Sequence, residues 1–126
     1  MIPYGKQDIN KEDIDSLVDV LKSDFLTQGP KIPEFEKKVS ELSSSSFSIA
    51  VTSATAGLHL ACLALGLNKD DYLWTSPISF VASANCARYC GANVDFVDIN
   101  AETYNIDPIL LEKKLIEAKK NNVLPK

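Results

Sequence analysis

Apolar positions recur at two different spacings along this chain, and the change of spacing divides it. In the first part the period is helical: Ile14, Leu17, Val18 and Leu21 fall at i, i+3, i+4 and i+7, one stripe on an otherwise charged segment. Asn10, with Asp13 three residues later, has the capping-box pattern that starts such a helix. The stripe predicts a partner in the rest of the fold. The run Phe25-Leu26-Thr27-Gln28-Gly29-Pro30 reads as a loop, because Gly-Pro halts regular structure. Pro33 suits the first turn of a second helix that turns Phe35, Val39 and Leu42 inward. Ser43 to Ser46 then form a surface turn within the domain, since strand-like sequence resumes at once.

From residue 47 the pattern changes. Residues 47–51 are a short apolar run that predicts a strand, and Thr52-Ser53-Ala54-Thr55 leads into residues 56–65, apolar nearly all round. A helix apolar on every side is predicted to be buried, and Gly66 ends it. Tyr72-Leu73-Trp74 predicts a second strand, Ser76-Pro77 a turn, residues 80–89 a helix stopped by Gly91, and residues 94–97 a third strand. Asp107-Pro108 caps and opens a last helix with Leu111, Leu115 and Ala118 on one face. Strand and helix in alternation imply an α/β fold, a parallel sheet with helices on both faces. Residues 1–46 are then a helical segment and residues 47–126 an alternating strand-helix part of the same domain. The chain stops at Val123-Leu124-Pro125-Lys126, where another strand is due, and three strands leave two open edges. The pattern predicts a piece cut from a larger domain.

Composition narrows the function classes. The 126 residues are 45% apolar and 24% charged, a globular balance. A net charge of −4 and the lack of any Lys/Arg run longer than two argue against a nucleic-acid surface. No apolar run approaches the roughly 20 residues that span a bilayer, and no leader pattern precedes residue 10, so no membrane partner and a cytoplasmic location are expected. Cys62, Cys86, Cys90 and His59 would all have to converge to make a closed zinc site, so reduced, buried thiols are the expected state.

Ligands of open α/β sheets sit beyond the carboxyl ends of the strands, at loops 52–55, 75–79 and 98–100. The first collects backbone N–H groups, hydroxyls and the positive end of a helix dipole, an anion site suited to one phosphate. It has neither the G-x-G-x-x-G of a dinucleotide site nor a Walker lysine. Taken alone, the loop reads rather as an ordinary N-cap through Ser53 or Thr55. Phe80 could lie against a flat ring or pack as a core aromatic. His59 reads as a packed histidine, and no Ser-His-Asp or Cys-His arrangement can be assembled.

Together, Ile2-Pro3-Tyr4-Gly5, Leu26-Thr27-Gln28-Gly29-Pro30, Ser53-Ala54-Thr55-Ala56-Gly57-Leu58-His59, the stretch Trp74 to Asn85, and Val94-Asp95-Phe96-Val97-Asp98-Ile99 resemble the DegT/StrS-type sugar aminotransferases. The resemblance runs through nearly the whole chain and implies the N-terminal portion of the large domain of a fold type I pyridoxal-phosphate-dependent transferase. It implies pyridoxal 5'-phosphate as cofactor, its phosphate held at Ser53, Ala54 and Thr55 and its ring faced by Phe80. It implies sugar contacts from Tyr4, Asp24, Phe25, Leu26 and Thr27.

The activity implied is amination at C4 of a UDP-linked 4-keto-6-deoxy-N-acetylhexosamine, with L-glutamate as donor, in surface-glycan biosynthesis by a homodimer. The family's cofactor-bonding lysine and pyridine-pairing aspartate lie later than the matched region, and Lys31 and Lys69 match no family lysine motif. No catalytic residue is therefore expected here, and the chain alone should be inactive. A sister aminotransferase, a dehydratase on another keto-sugar, or a non-catalytic phosphate-ligand-binding piece are the alternatives.

Overall fold

The computed structural model describes every residue except Met1 and Tyr4. It divides into two compact units, Met1–Ala50 and Val51–Lys126.

The first unit holds α1 (Lys11–Lys22) and α2 (Lys31–Ser43). The capping box forms as the sequence predicts: Asp13 N–H donates to the Asn10 side chain and Asn10 N–H to the Asp13 carboxylate, both at 3.0 Å. Pro33 does sit in the first turn of α2. That helix closes on Ser44, which takes the left-handed conformation (φ 53°) and lets Ser45 N–H reach the Ser40 carbonyl at 3.0 Å. No described residue of this unit is buried, and Ile14, Leu17, Leu21, Phe35 and Leu42 are all exposed. Their stripes are amphipathic but find no cover within the unit.

Residues 47–51 are not a strand. Ser48 is tied back to Ser40 through their hydroxyls (2.9 Å), and Ala50 N–H donates to the Glu36 carboxylate (2.8 Å). The donor a ladder would need is thus taken by a side chain of α2. β-propensity makes a strand only where a neighbouring strand offers rungs, and none of the described residues does so here.

The second unit holds α3 (Ala54–Ala64), β1 (Tyr72–Thr75), α4 (Ala82–Tyr89), β2 (Asn93–Phe96) and α5 (Pro108–Lys120). β1 and β2 pair in parallel, Leu73 opposite Val94 and Trp74 opposite Asp95. Leu73 and Val94 pack against a small core of Cys62, Leu67, Cys86, Ala87 and Ala92. Successive side chains alternate across a strand, so Trp74 and Asp95 turn to the other face, where Lys114 of α5 meets them. The expected helices on both faces are present.

Helix ends build the core. Behind α3, Gly66 (φ 73°) allows Leu67 N–H to bond the Cys62 carbonyl; behind α4, Gly91 (φ 76°) allows Ala92 N–H to bond the Ala87 carbonyl, each at 3.0 Å. These Schellman turns bring the residue after each glycine onto the last helical turn, and the four residues so joined are core members. Asn122 (φ 55°) does the same after α5, with Val123 N–H on the Ala118 carbonyl.

One expectation fails here. α3 is apolar on nearly every side, yet only Cys62 is buried, and Leu58, Leu60, Leu63 and Leu65 are exposed. α4 covers one face of it, and these residues supply nothing to cover the others. At the far end, Lys126 N–H donates to the Tyr72 carbonyl at 3.0 Å. The Asp71 and Thr75 carbonyls serve the β2 side, so Tyr72 points to the opposite edge of β1.

Candidate active site

Three loops were candidates, and the structure separates them. At the first, Ser53 is the N-cap of α3: its backbone is extended, its Oγ accepts from Ala56 N–H (3.2 Å), and its carbonyl accepts from Gly57 N–H (3.0 Å). The first N–H groups of a helix have no intrahelical acceptor, so those of Ala54 and Thr55 stay open for a ligand. The Ser53 hydroxyl accepts in the cap and retains its proton to donate outward. No acidic side chain stands in the first turn of α3 to repel an anion. Cap and anion seat are thus the same arrangement rather than rivals, and the donor set fits a phosphate.

Phe80 follows β1 and precedes α4, which begins at Ala82 rather than at residue 80. It is 74% exposed and joins no core formed by the described residues. It borders a cleft of about 210 Å3 with Thr75, Ser79, Ser83 and Phe96. The Ser79 and Ser83 hydroxyls are 3.0 Å apart across the start of α4. Phe96 and this hydroxyl pair were not foreseen. Ser-x-x-x-Ser across a helix start was the available signal for the pair, whereas nothing local marked the last residue of β2. Ser53, Ala54 and Thr55 do not line this cleft.

The third loop is occupied by its own turn. Asn100 Oδ1 accepts from Glu102 and Thr103 N–H, and Asp98 Oδ1 from Ile99 N–H.

In the first unit, Asp24, Phe25, Leu26 and Thr27 form an exposed turn between α1 and α2. Ser23 shapes it, its Oγ standing 3.3 Å from the Phe25 carbonyl and 3.4 Å from Phe25 N–H. Tyr4 lies outside the described residues.

The remaining titratable groups are structural. Burial, helped by the neighbouring Cys86 thiol, pushes the Cys62 thiol up to about 11, so it stays protonated at neutral pH. All three cysteines are free, and no group of three or more metal-ligating side chains gathers among the described residues. His59 stands edge-on to Tyr89, ring centroids 5.3 Å apart, as a packed side chain does.

On the α5 face of the sheet, Lys114 Nζ reaches the Asp95 carboxylate and the Phe96 carbonyl, each at 2.6 Å, and lies 5.0 Å from the centre of the Trp74 ring. The lysine hydrogen bond holds the Asp95 carboxyl below its usual range, against partial desolvation. The Trp74 indole N–H is buried without a partner beside a cleft of about 330 Å3. No helix among the described residues is long and apolar enough to cross a membrane.

The chain is 42% identical over 117 residues to a UDP-4-amino-4,6-dideoxy-N-acetyl-beta-L-altrosamine transaminase of Campylobacter jejuni, covering 93% of this chain and 31% of that one. It is 40% identical to the spore coat polysaccharide biosynthesis protein SpsC of Bacillus subtilis, covering 88% of this chain and 28% of that one. A sugar aminotransferase of Streptococcus pneumoniae, solved in its PLP form, superposes with a TM-score of 0.85 at 33% identity, over 89% of this chain and 29% of that one. The chain thus spans about a third of the length of the relatives it matches. A model of the DegT/DnrJ/EryC1/StrS aminotransferase family matches residues 7–125, and the chain belongs to that family.

Proposed function

We propose that the polypeptide carrying this segment is a pyridoxal-phosphate-dependent aminotransferase acting at C4 of a UDP-linked 4-keto-6-deoxy-N-acetylhexosamine, with L-glutamate as amino donor. Its place is surface-glycan biosynthesis of the pseudaminic acid kind. The observation that carries the reading is the start of α3: an N-cap serine, two unclaimed backbone N–H groups and no acidic residue in the first turn. Ser53, Ala54 and Thr55 hold the cofactor phosphate there, chiefly through backbone donors at the positive end of the helix. Phe80 presents its exposed ring to the pyridine. Tyr4 and the turn Asp24-Phe25-Leu26-Thr27 contact the nucleotide sugar.

Bound in this way, the cofactor supplies an electron sink for moving an amino group from donor to keto-sugar. This chain's residues bind and orient, and the lysine and aspartate of the chemistry come from further along the polypeptide. The whole enzyme works in the cytoplasm as a homodimer, and residues 1–126 alone have no turnover. The 40% identity to SpsC supports a second reading on the same scaffold, a sister enzyme aminating a different keto-sugar.

The test is Thr55→Asp in the full-length enzyme, which sets a carboxylate against the phosphate dianion. Cofactor retention, followed by absorbance after dialysis, is expected to be lost while the fold persists by circular dichroism. Full retention would place the phosphate elsewhere and leave the loop a plain helix cap. Turnover with a series of UDP-keto-sugars separates the two substrate readings.

A further inference from the structure

Gly29 lies against the turn assigned above to the sugar, and its lack of a side chain has a specific geometric reason. A Cβ built on Gly29 falls 2.7 Å from Phe25 Cβ, 3.2 Å from the Phe25 carbonyl oxygen and 3.7 Å from Phe25 Cγ. The nearest of these is the root of the Phe25 side chain, which cannot swing aside by changing rotamer. The turn is therefore closed on itself. Phe25 and Gly29 touch across it, and Leu26, Thr27 and Gln28 form the tip between them. Gln28 sits at φ 54°, a left-handed conformation that ordinary residues adopt at a cost, so this chain path is held by its surroundings.

The Ser23 hydroxyl fixes the same turn from the other side, at the Phe25 N–H and carbonyl. Phe25 also borders a small cleft with Val20 and Pro30. A methyl group at position 29 would have to open the turn by about 0.7 Å to move from 2.7 Å to ordinary contact at 3.4 Å.

We infer that Gly29 is a positioning residue for the nucleotide sugar: by letting the backbone close on Phe25, it sets where Leu26 and Thr27 present themselves. The inference rests on the proposed substrate role of residues 24–27. Gly29 touches no substrate itself and acts through the shape of the turn. Displacements of this size in a positioning element cost rate and affinity out of proportion to the atoms added.

The experiment is a double-substitution cycle in the full-length enzyme with Gly29→Ala, Phe25→Gly and the two combined. Phe25→Gly removes two of the three close atoms, the Cβ at 2.7 Å and the Cγ at 3.7 Å. Gly29→Ala is expected to raise KM for the UDP-linked keto-sugar about tenfold, with cofactor retention and thermal midpoint unchanged. In the Phe25→Gly background the same change should shift KM by less than about twofold, because coupled sites are not additive. Amide hydrogen exchange across residues 24–28, measured without sugar, should quicken in Gly29→Ala and not on adding it to Phe25→Gly. Faster exchange with an unmoved KM would overturn the inference through its substrate half. Unmoved exchange would overturn it through its geometry. Additive effects, or loss of cofactor together with sugar affinity, would mean that Gly29 serves the fold at large, and would sink it too.

Discussion

The two units of this chain use the same materials and reach different ends. Residues 51–126 contain every buried residue described: Cys62, Leu67, Ala82, Cys86, Ala87, Ala92, Val97 and Ala118. Residues 1–50 contain none, although α1 and α2 carry apolar stripes as regular as any downstream. Local signals are not weaker in the first unit. α1 has a complete capping box, and α2 has a left-handed serine cap and a Lys31–Glu34 pair at 2.8 Å. It lacks a second layer. Caps and surface ion pairs are each worth about 1 kcal/mol or less, whereas a tightly packed core penalises every change of volume. An amphipathic helix can thus be fully specified by its sequence and still gain nothing from its apolar face until something covers it.

The sharpest way to break this comparison is to overfill the core of the second unit. Ala87 has no exposed surface, and Ala87→Leu should destabilise β1, α4 and β2 by about 1–3 kcal/mol, the scale of overpacking. Local opening free energies from amide hydrogen exchange would register it. Leu17→Ala, on the uncovered stripe of α1, should leave them unchanged. Equal effects from the two would mean that the units do not differ as described.

Next in size is Gly91→Ala, which asks an L-residue to hold φ 76°. A loss of about 1–2 kcal/mol is expected from left-handed backbone strain, read as faster exchange at Ala92, whose N–H closes the turn. Asn10→Ala should cost α1 about 1 kcal/mol of helix stability, seen as lost protection in residues 11–14 with the second unit untouched. A matching loss in α4 would mean that the effect of the cap is not local to α1.

The smallest effect belongs to Asp95. Its folded carboxyl is held below the usual range by Lys114, so its contribution is complete above the unfolded value of about 3.9 and fades as pH falls through the folded value. Since the pair is partly exposed, Asp95→Asn should cost under about 1 kcal/mol at pH 7. The difference from the unaltered chain should shrink once pH drops below about 3.9, measured by urea unfolding at both ends of that range. A difference that grows on acidification would reverse the sign of the assignment.

Features that depend on neighbours within a few positions can be read directly from the residues. Asn10 and Asp13 announce the start of α1, Asp107-Pro108 that of α5, and Gly66 and Gly91 the ends of α3 and α4, because caps and left-handed turns are satisfied locally. The N-cap of α3 at Ser53 was legible for the same reason, being one loop and one helix start. The tertiary structure decided whatever needs a distant partner. Residues 47–51 have strand composition but no strand to pair with, and Glu36 takes the Ala50 N–H instead. α3 is apolar all round, yet its three leucines stay exposed, since burial depends on what packs against a helix and not on its own composition. The grip of Lys114 on Asp95 and Trp74, across 18 or more positions of chain, has no local signal. Nor has the contact that keeps Gly29 a glycine: its spacing from Phe25 can be counted in the sequence, but only the folded turn brings the two to 2.7 Å.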